Sequence, residues 1–147
     1  MRGADVSDLP LPIRDDLNRA YWDGAQVGEL VILRCPQCQT YIHPPRAMCT
    51  ACWNEQLVPT AVSGRGSIYS WSVMHSRGNP GFEERLPYAV LIVELAEQKN
   101  LRIVGNLVGS QPDELAIGTP MQVVFEKVNE DVTLPQWRIA GKQGDIK

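Results

Sequence analysis

CPQCQTYIHPPRAMCTACW, running from Cys35 to Trp53, holds every cysteine of the 147-residue chain. The cysteines form two pairs of identical C-x2-C spacing, with ten residues between the pairs. Two residues between thiols let one tight turn aim both sulfurs at a single point. Two such turns facing each other build a tetrahedral cage of four sulfurs, which suits zinc. The expected ligands are therefore Cys35, Cys38, Cys49 and Cys52, with one zinc per chain. Two disulfides are an alternative that a reducing compartment disfavours. Four thiolates fill the coordination shell and leave no place for a reacting water, so the metal is expected to be structural. A segment this short cannot build its own core, and metal binding stands in for one.

Two local details qualify that picture. CPQC also opens like a rubredoxin knuckle, which keeps iron as a rival, although no second CPxCG follows. Glycine is common directly after the second cysteine of a knuckle, where the backbone needs a positive φ. Gln39 and Trp53 occupy those places here. His43 lies between the pairs and reads as a polar residue of the connecting hairpin, not as a fifth ligand.

Composition bounds the remainder. An apolar share of 44% is ordinary for a globular chain and is enough to bury a core. No window approaches the roughly 18 apolar residues that cross a bilayer. The N-terminal MRGADVSDLPLP lacks the apolar stretch of a signal peptide. The expectation is a cytoplasmic protein with no membrane partner. Net charge is −3 and no basic tract stands out, which argues against nucleic acid as a partner.

The chain divides into residues 1–29, an N-terminal helical segment; 30–58, the zinc ribbon; 59–141, a β domain; and 142–147, a tail. Ile13, Leu17, Ala20 and Tyr21 recur at helical spacing. Asp15 and Asp16 suit its first turn, and Gly24 is the expected stop. ELVILR, residues 29–34, reads as a strand feeding the first knuckle. Beyond Cys52 the pattern shifts to period two. GSIYSWSVMH, PYAVLIVELA, LRIVGNLVG, MQVVFEKVN and LPQWRIAG read as five short strands, with Gly105 expected at a bulge or bend. A mainly β chain follows: an N-terminal helix, a four-Cys ribbon, then a five-stranded OB-fold barrel. Trp137 is expected in that barrel. Residues 141–147 are expected to order only in a complex, or not at all.

The order of motifs is specific. A helix, a four-Cys ribbon containing PPR, then SGRGSIYSWSV, LPYAVLIVEL, IGTPMQVVFEKV and LPQWRIA resembles the acyl-CoA-associated OB-fold family with a rubredoxin-like zinc ribbon, over residues 16–140. Trp137 stands where members of that family usually carry Phe. The resemblance implies a non-catalytic subunit bound to a thiolase-fold enzyme that forms or cleaves carbon–carbon bonds in acyl-CoA esters. It also implies that a CoA ester is a possible ligand. Arg34, Arg46, Arg65 and Arg77 could meet its phosphates, or could offset the charge of the zinc–thiolate centre. Trp22, Tyr69 and Trp71 could cover its pantetheine arm, or could belong to the core.

The residues themselves offer no catalytic set. All four cysteines have metal spacing, and only His43 and His75 could complete a triad. Glu83, Glu84, Asp113 and Glu114 fall in predicted turns and read as solvated charges. Two other classes stay open on sequence. One is a single-strand nucleic-acid module stacking bases on Tyr69 and Trp71. The other is an iron-loaded electron carrier.

Overall fold

The structure is a computed structural model and describes residues 9–76 and 80–142. Arg77 and residues 143–147 of the expected tail lie outside the described residues.

The helix begins later than its spacing suggests. Residues 10–14 carry no regular structure, and Ile13 is 85% exposed. Asp15 and Asn18 cap each other: the Asp15 N–H donates to Asn18 Oδ1, and Asp15 Oδ1 accepts from the Leu17 and Asn18 N–H groups, all at 2.8 Å. The helix α1 then spans Arg19–Gln26. Gly24 does not end it. Gly24 is buried in the last turn, where a Cβ would lie 2.4 Å from Val31 Cγ2. The stop is Gly28, whose φ of 78° terminates the helix while the Glu29 N–H reaches back to the Gly24 carbonyl at 2.9 Å. Among the described residues, no helix is long and apolar enough to cross a membrane.

Eight strands follow. Leu30–Arg34 (β1) lies between Tyr41–Ile42 (β2) and Val58–Val62 (β3) in a three-stranded antiparallel sheet. This sheet carries the cysteine turns. Its two outer strands escaped the sequence reading because one is very short and the other carries Pro59 on an edge.

The second sheet holds Arg65–Met74 (β4), Tyr88–Leu95 (β5), Arg102–Asn106 (β6), Pro120–Lys127 (β7) and Thr133–Ile139 (β8). These are the five expected strands, each starting within one residue of the expected position and ending one to three residues earlier. Their order is β6-β5-β4-β7-β8. The sheet curls until Leu107 meets Trp137 in a parallel bridge, and the Val108 N–H donates to the Trp137 carbonyl at 2.8 Å. Closure rests on that contact instead of a full ladder, and β4 pairs with β7 only through Arg65–Ser67. The result is the partly open five-stranded OB arrangement.

Alternation places Ile68, Leu91, Val93, Ile103, Met121 and Trp137 inside the curl, all buried. Trp137 is fully buried, as expected. Gly105 is not a bulge: it pairs in register with Leu91. It is glycine because a Cβ there would lie 2.7 Å from Trp137 Cδ1. The bulge falls in β4 instead, between Ile68 and Ser70, and throws Tyr69 out of register.

Candidate metal centre

Both turns are built alike. In the first, the Gln39 N–H donates to the Cys35 carbonyl at 2.8 Å and the Cys35 N–H donates to the Thr40 carbonyl at 2.9 Å. In the second, the Trp53 N–H donates to the Cys49 carbonyl at 3.1 Å and the Cys49 N–H donates to the Asn54 carbonyl at 2.8 Å. Gln39 and Trp53 take the left-handed conformation, at φ 65° and 71°, despite carrying side chains. Each such residue costs about 1–2 kcal/mol.

What offsets that cost is the point where the turns meet. The four cysteine sulfurs lie within 4.8 Å of one another, with Cys35–Cys52 and Cys38–Cys49 each at 3.5 Å. A tetrahedral zinc with Zn–S bonds near 2.3 Å sets its sulfurs about 3.8 Å apart, so the cage fits. Polar neighbours suit thiolates. The Thr40 hydroxyl lies 3.2 Å from Cys38 Sγ, the Ala51 N–H points to Cys49 Sγ at 3.3 Å, and Asn54 Nδ2 to Cys35 Sγ at 3.8 Å. Hydrogen bonding from Thr40 holds the Cys38 thiol down to about 6. Cys52 is pushed up to about 12: the Asn54 backbone lowers it, but the Cys35 sulfur, burial and the other two sulfurs outweigh that. Four crowded thiols cannot all ionise without a cation among them.

Around the cysteines the buried apolar cluster is only Ile42 with Cys35 and Cys49, flanked by Leu33, Cys52 and Leu57, while Leu30 and Ile32 of β1 belong to the main core. Burying one isoleucine is worth about 1.5–3 kcal/mol, far less than ordering the loops around it costs. Gln98, in the turn after β5, ties the ribbon to the curled sheet. Its Oε1 accepts from the Tyr41 N–H at 2.8 Å and its Nε2 donates to the Tyr41 carbonyl at 3.1 Å. The same turn holds the linker, because Glu97 accepts from the Ser63 N–H at 2.8 Å.

The candidate CoA contacts do not converge. Arg34 is committed to the first knuckle: its Nε and Nη2 donate to Gln39, each at 3.1 Å, and its guanidinium sits 4.8 Å over the Tyr41 ring. Arg46 is exposed beside the second knuckle, in a shallow cleft of about 370 Å³ with Met48 and Trp53. Arg65 is exposed on β4, in a separate cleft of about 460 Å³ with Gln98 and Lys99. Trp71 packs against the core. Trp22 and Tyr69 flank a third region. Trp22 lines a cleft of about 400 Å³ with His43, Pro45, Arg102 and Val104, and the Arg102 guanidinium lies 3.6 Å over the Tyr69 ring.

The sequence reading passed over Arg102 and Gln98. Arg102 was legible in principle, since alternation in LRIVGN puts it on one face with Val104. Gln98 had no sequence signal, because its partner is 57 residues away. His43 is no metal ligand. Its ring lies 5.3 Å from the Tyr21 ring, and burial holds its imidazole down to about 4.

Comparison with known proteins converges on one family. The family model described as "ChsH2, rubredoxin-like zinc ribbon domain" matches residues 22–58. The model described as "ChsH2, C-terminal OB-fold domain" matches residues 59–126. A "DUF35 domain-containing scaffold protein" of Methanocaldococcus jannaschii is 34% identical over 103 residues, covering 69% of this chain and 71% of that one. A "Probable enoyl-CoA hydratase alpha subunit" of Thermomonospora curvata is 37% identical over 134 residues, covering 91% of this chain. The chain spans only 41% of that relative's length. The "Benzoylsuccinyl-CoA thiolase subunit BbsA" of Thauera aromatica is 32% identical over 93 residues, covering 58% of this chain and 61% of that one. Among solved structures, a chain of "Ltp2-ChsH2(DUF35) aldolase" superposes with a TM-score of 0.79 at 36% identity, covering 88% of this chain and 98% of that one.

Proposed function

The chain belongs to the DUF35 family, with a ChsH2-type zinc ribbon and OB-fold domain, and on that premise we propose that it is a non-catalytic subunit of an acyl-CoA-processing complex. Its partner in this reading is a thiolase-fold enzyme that makes or breaks a carbon–carbon bond, by thiolysis, condensation or aldol cleavage. The observation that carries the reading is the four-thiolate cage set against an OB-fold domain in one chain, in the order shared with proteins named as a thiolase subunit and an aldolase component. Such a cage supports a structural role, because four sulfurs leave zinc no open position for substrate. Cys35, Cys38, Cys49 and Cys52 would hold the ion, and the ion would supply folding energy and no chemistry. A CoA ester would meet the exposed Arg46 and Arg65 only in part on this chain, since they line separate clefts.

The test is co-expression with a thiolase-fold enzyme of the same organism, followed by size-exclusion chromatography with light scattering. One peak containing both chains is expected, burying at least about 1,200 Å². The isolated chain should turn over no acyl-CoA ester, because its thiols are committed to metal. Two separate peaks, or robust turnover by this chain alone, would refute the reading.

A further inference from the structure

The outward face of β4, β5 and β6 has the composition of an interface. Register sets Ser72, Val90 and Asn106 side by side across the three strands, then Ser70, Ile92 and Val104. A solvated antiparallel face normally alternates to polar residues. The outward positions of β5 do not: Tyr88, Val90 and Ile92 precede Glu94, the first polar one, and all are half-buried. Val104 is 61% exposed and the bulged Tyr69 46% exposed. Ser70 and Ser72 on β4 are small side chains beside them. At its far edge lies the cleft of about 400 Å³ between α1, the His43–Pro45 segment and β6, walled by Trp22, Pro44, Pro45 and Val104.

We propose that this face docks the catalytic subunit, through an uncharged apolar surface whose protruding side chain fills the cleft between Trp22 and Val104. The proposal rests on the accessory-subunit reading above and adds where the partner sits.

Charge selects this occupant. The charged residues flanking the apolar rows are Glu94 and Arg102, adjacent in register, with Arg102 Nε 3.5 Å from Glu94 Oε2. The pair cancels itself, and the Arg102 guanidinium is further held flat on Tyr69. Among the described residues the face therefore presents no free cation. A nucleic-acid strand or a phosphate headgroup needs several. The OB architecture commonly binds oligonucleotides on its second and third strands, and here those strands, β5 and β6, are dressed for a neutral apolar partner.

Shape separates a different partner from a second copy. An isologous contact needs a knob and its cleft on one patch. This patch has the cleft, but Val90, Ile92 and Val104 are short and β-branched, Tyr88 is half-buried against Phe82, and the large exposed ring of Tyr69 lies under Arg102.

The experiment measures the affinity of the zinc-loaded chain for a thiolase-fold enzyme of the same organism. Val104→Asp and Ser72→Arg alter exposed side chains of the face, and Val27→Asp and Ile117→Asp alter exposed residues elsewhere. Melting curves verify that all four variants fold. Both face variants should bind about tenfold more weakly or worse, with both controls within about twofold of wild type. Equal binding by all variants would overturn the proposed face and leave the subunit reading standing. No binding by wild type would remove the subunit reading itself. Two further results would also overturn the proposal. One is a dimer of this chain that Val104→Asp dissociates. The other is salt-sensitive binding of a single-stranded oligonucleotide that Ser72→Arg strengthens while leaving enzyme binding intact.

Discussion

Lowering the pH from 7 to 5 should destabilise the folded chain by about 2 kcal/mol through His43. The side chain is held between α1 and β6, its ring 5.3 Å from that of Tyr21, with Arg102 across the same cleft. No carboxylate lines that cleft among the described residues. Burial holds the imidazole down to about 4, against 6.5 when unperturbed. The unfolded chain therefore takes up a proton near pH 6.5 and the folded chain only near pH 4. Between those values the unfolded state holds more protons, so stability falls as the pH falls. Each pH unit of difference in pKa is worth about 1.4 kcal/mol, which gives about 3 kcal/mol in full near pH 4 and about 2 kcal/mol by pH 5. For a domain of this size, 2 kcal/mol moves the melting temperature by about 6 °C.

Zinc–thiolate centres also weaken in acid, so a control must separate the two effects. His43→Phe keeps an aromatic ring against Tyr21 and removes the titration. Thermal unfolding of both proteins at pH 7 and pH 5, with zinc supplied, isolates the histidine as the difference between the two shifts. Wild type should lose about 6 °C more than His43→Phe. Curves that fall in parallel, or a His43 titration near 6.5 by NMR, would show that the residue is not buried as described.

Three further outcomes are expected. The chain should carry about one zinc, and Cys38→Ser should lose most of it, since structural zinc contributes on the order of 10 kcal/mol. Metal analysis with circular dichroism should find the curled sheet intact, because the cluster around the cysteines is separate from the main core, to which β1 contributes Leu30 and Ile32. Gln98→Ala deletes both bonds to Tyr41 and should cost about 1–3 kcal/mol. Hydrogen exchange should then speed up across the ribbon while β5 and β6 stay protected. Gly66→Ala would set a Cβ 2.3 Å from the Glu94 carbonyl oxygen, backbone against backbone, and should cost about 3 kcal/mol or more by urea unfolding.

Sequence made some of this legible and hid the rest for physical reasons. The cysteine cage was readable because ligand spacing is local and metal geometry is strict. The five long strands were readable because alternation is a local signal too. The helix start was misplaced because Ile13 and Leu17 sit at helical spacing yet face solvent, and reciprocal capping by Asp15 and Asn18 delays the helix. Gly24 and Gly105 were read as breakers, and both are close-approach sites against a side chain of another element, Val31 and Trp137. Composition gives no hint of such approaches. The CoA candidates were chosen by residue type and local sequence context, such as Arg46 after two prolines and Arg65 between two glycines, so nothing in their selection required them to share a cleft.

Gln39 and Trp53 connect the metal to the rest of the molecule. Each holds a left-handed backbone that glycine would adopt more cheaply, and the ribbon has too little apolar burial to compensate. Zinc can, because its binding free energy becomes folding free energy. Once the cage is fixed, so is the strand segment Tyr41–Ile42 between its two turns, which Gln98 clips to the β5–β6 turn. Directly after that segment come His43, Pro44 and Pro45, a wall of the cleft beside Val104. A metal with no open coordination position would thus act on a surface it does not touch. It would set the wall of a cleft whose opposite side belongs to β6, through backbone and the Gln98 side chain. Losing zinc should therefore weaken binding at that face even in a chain whose curled sheet remains folded.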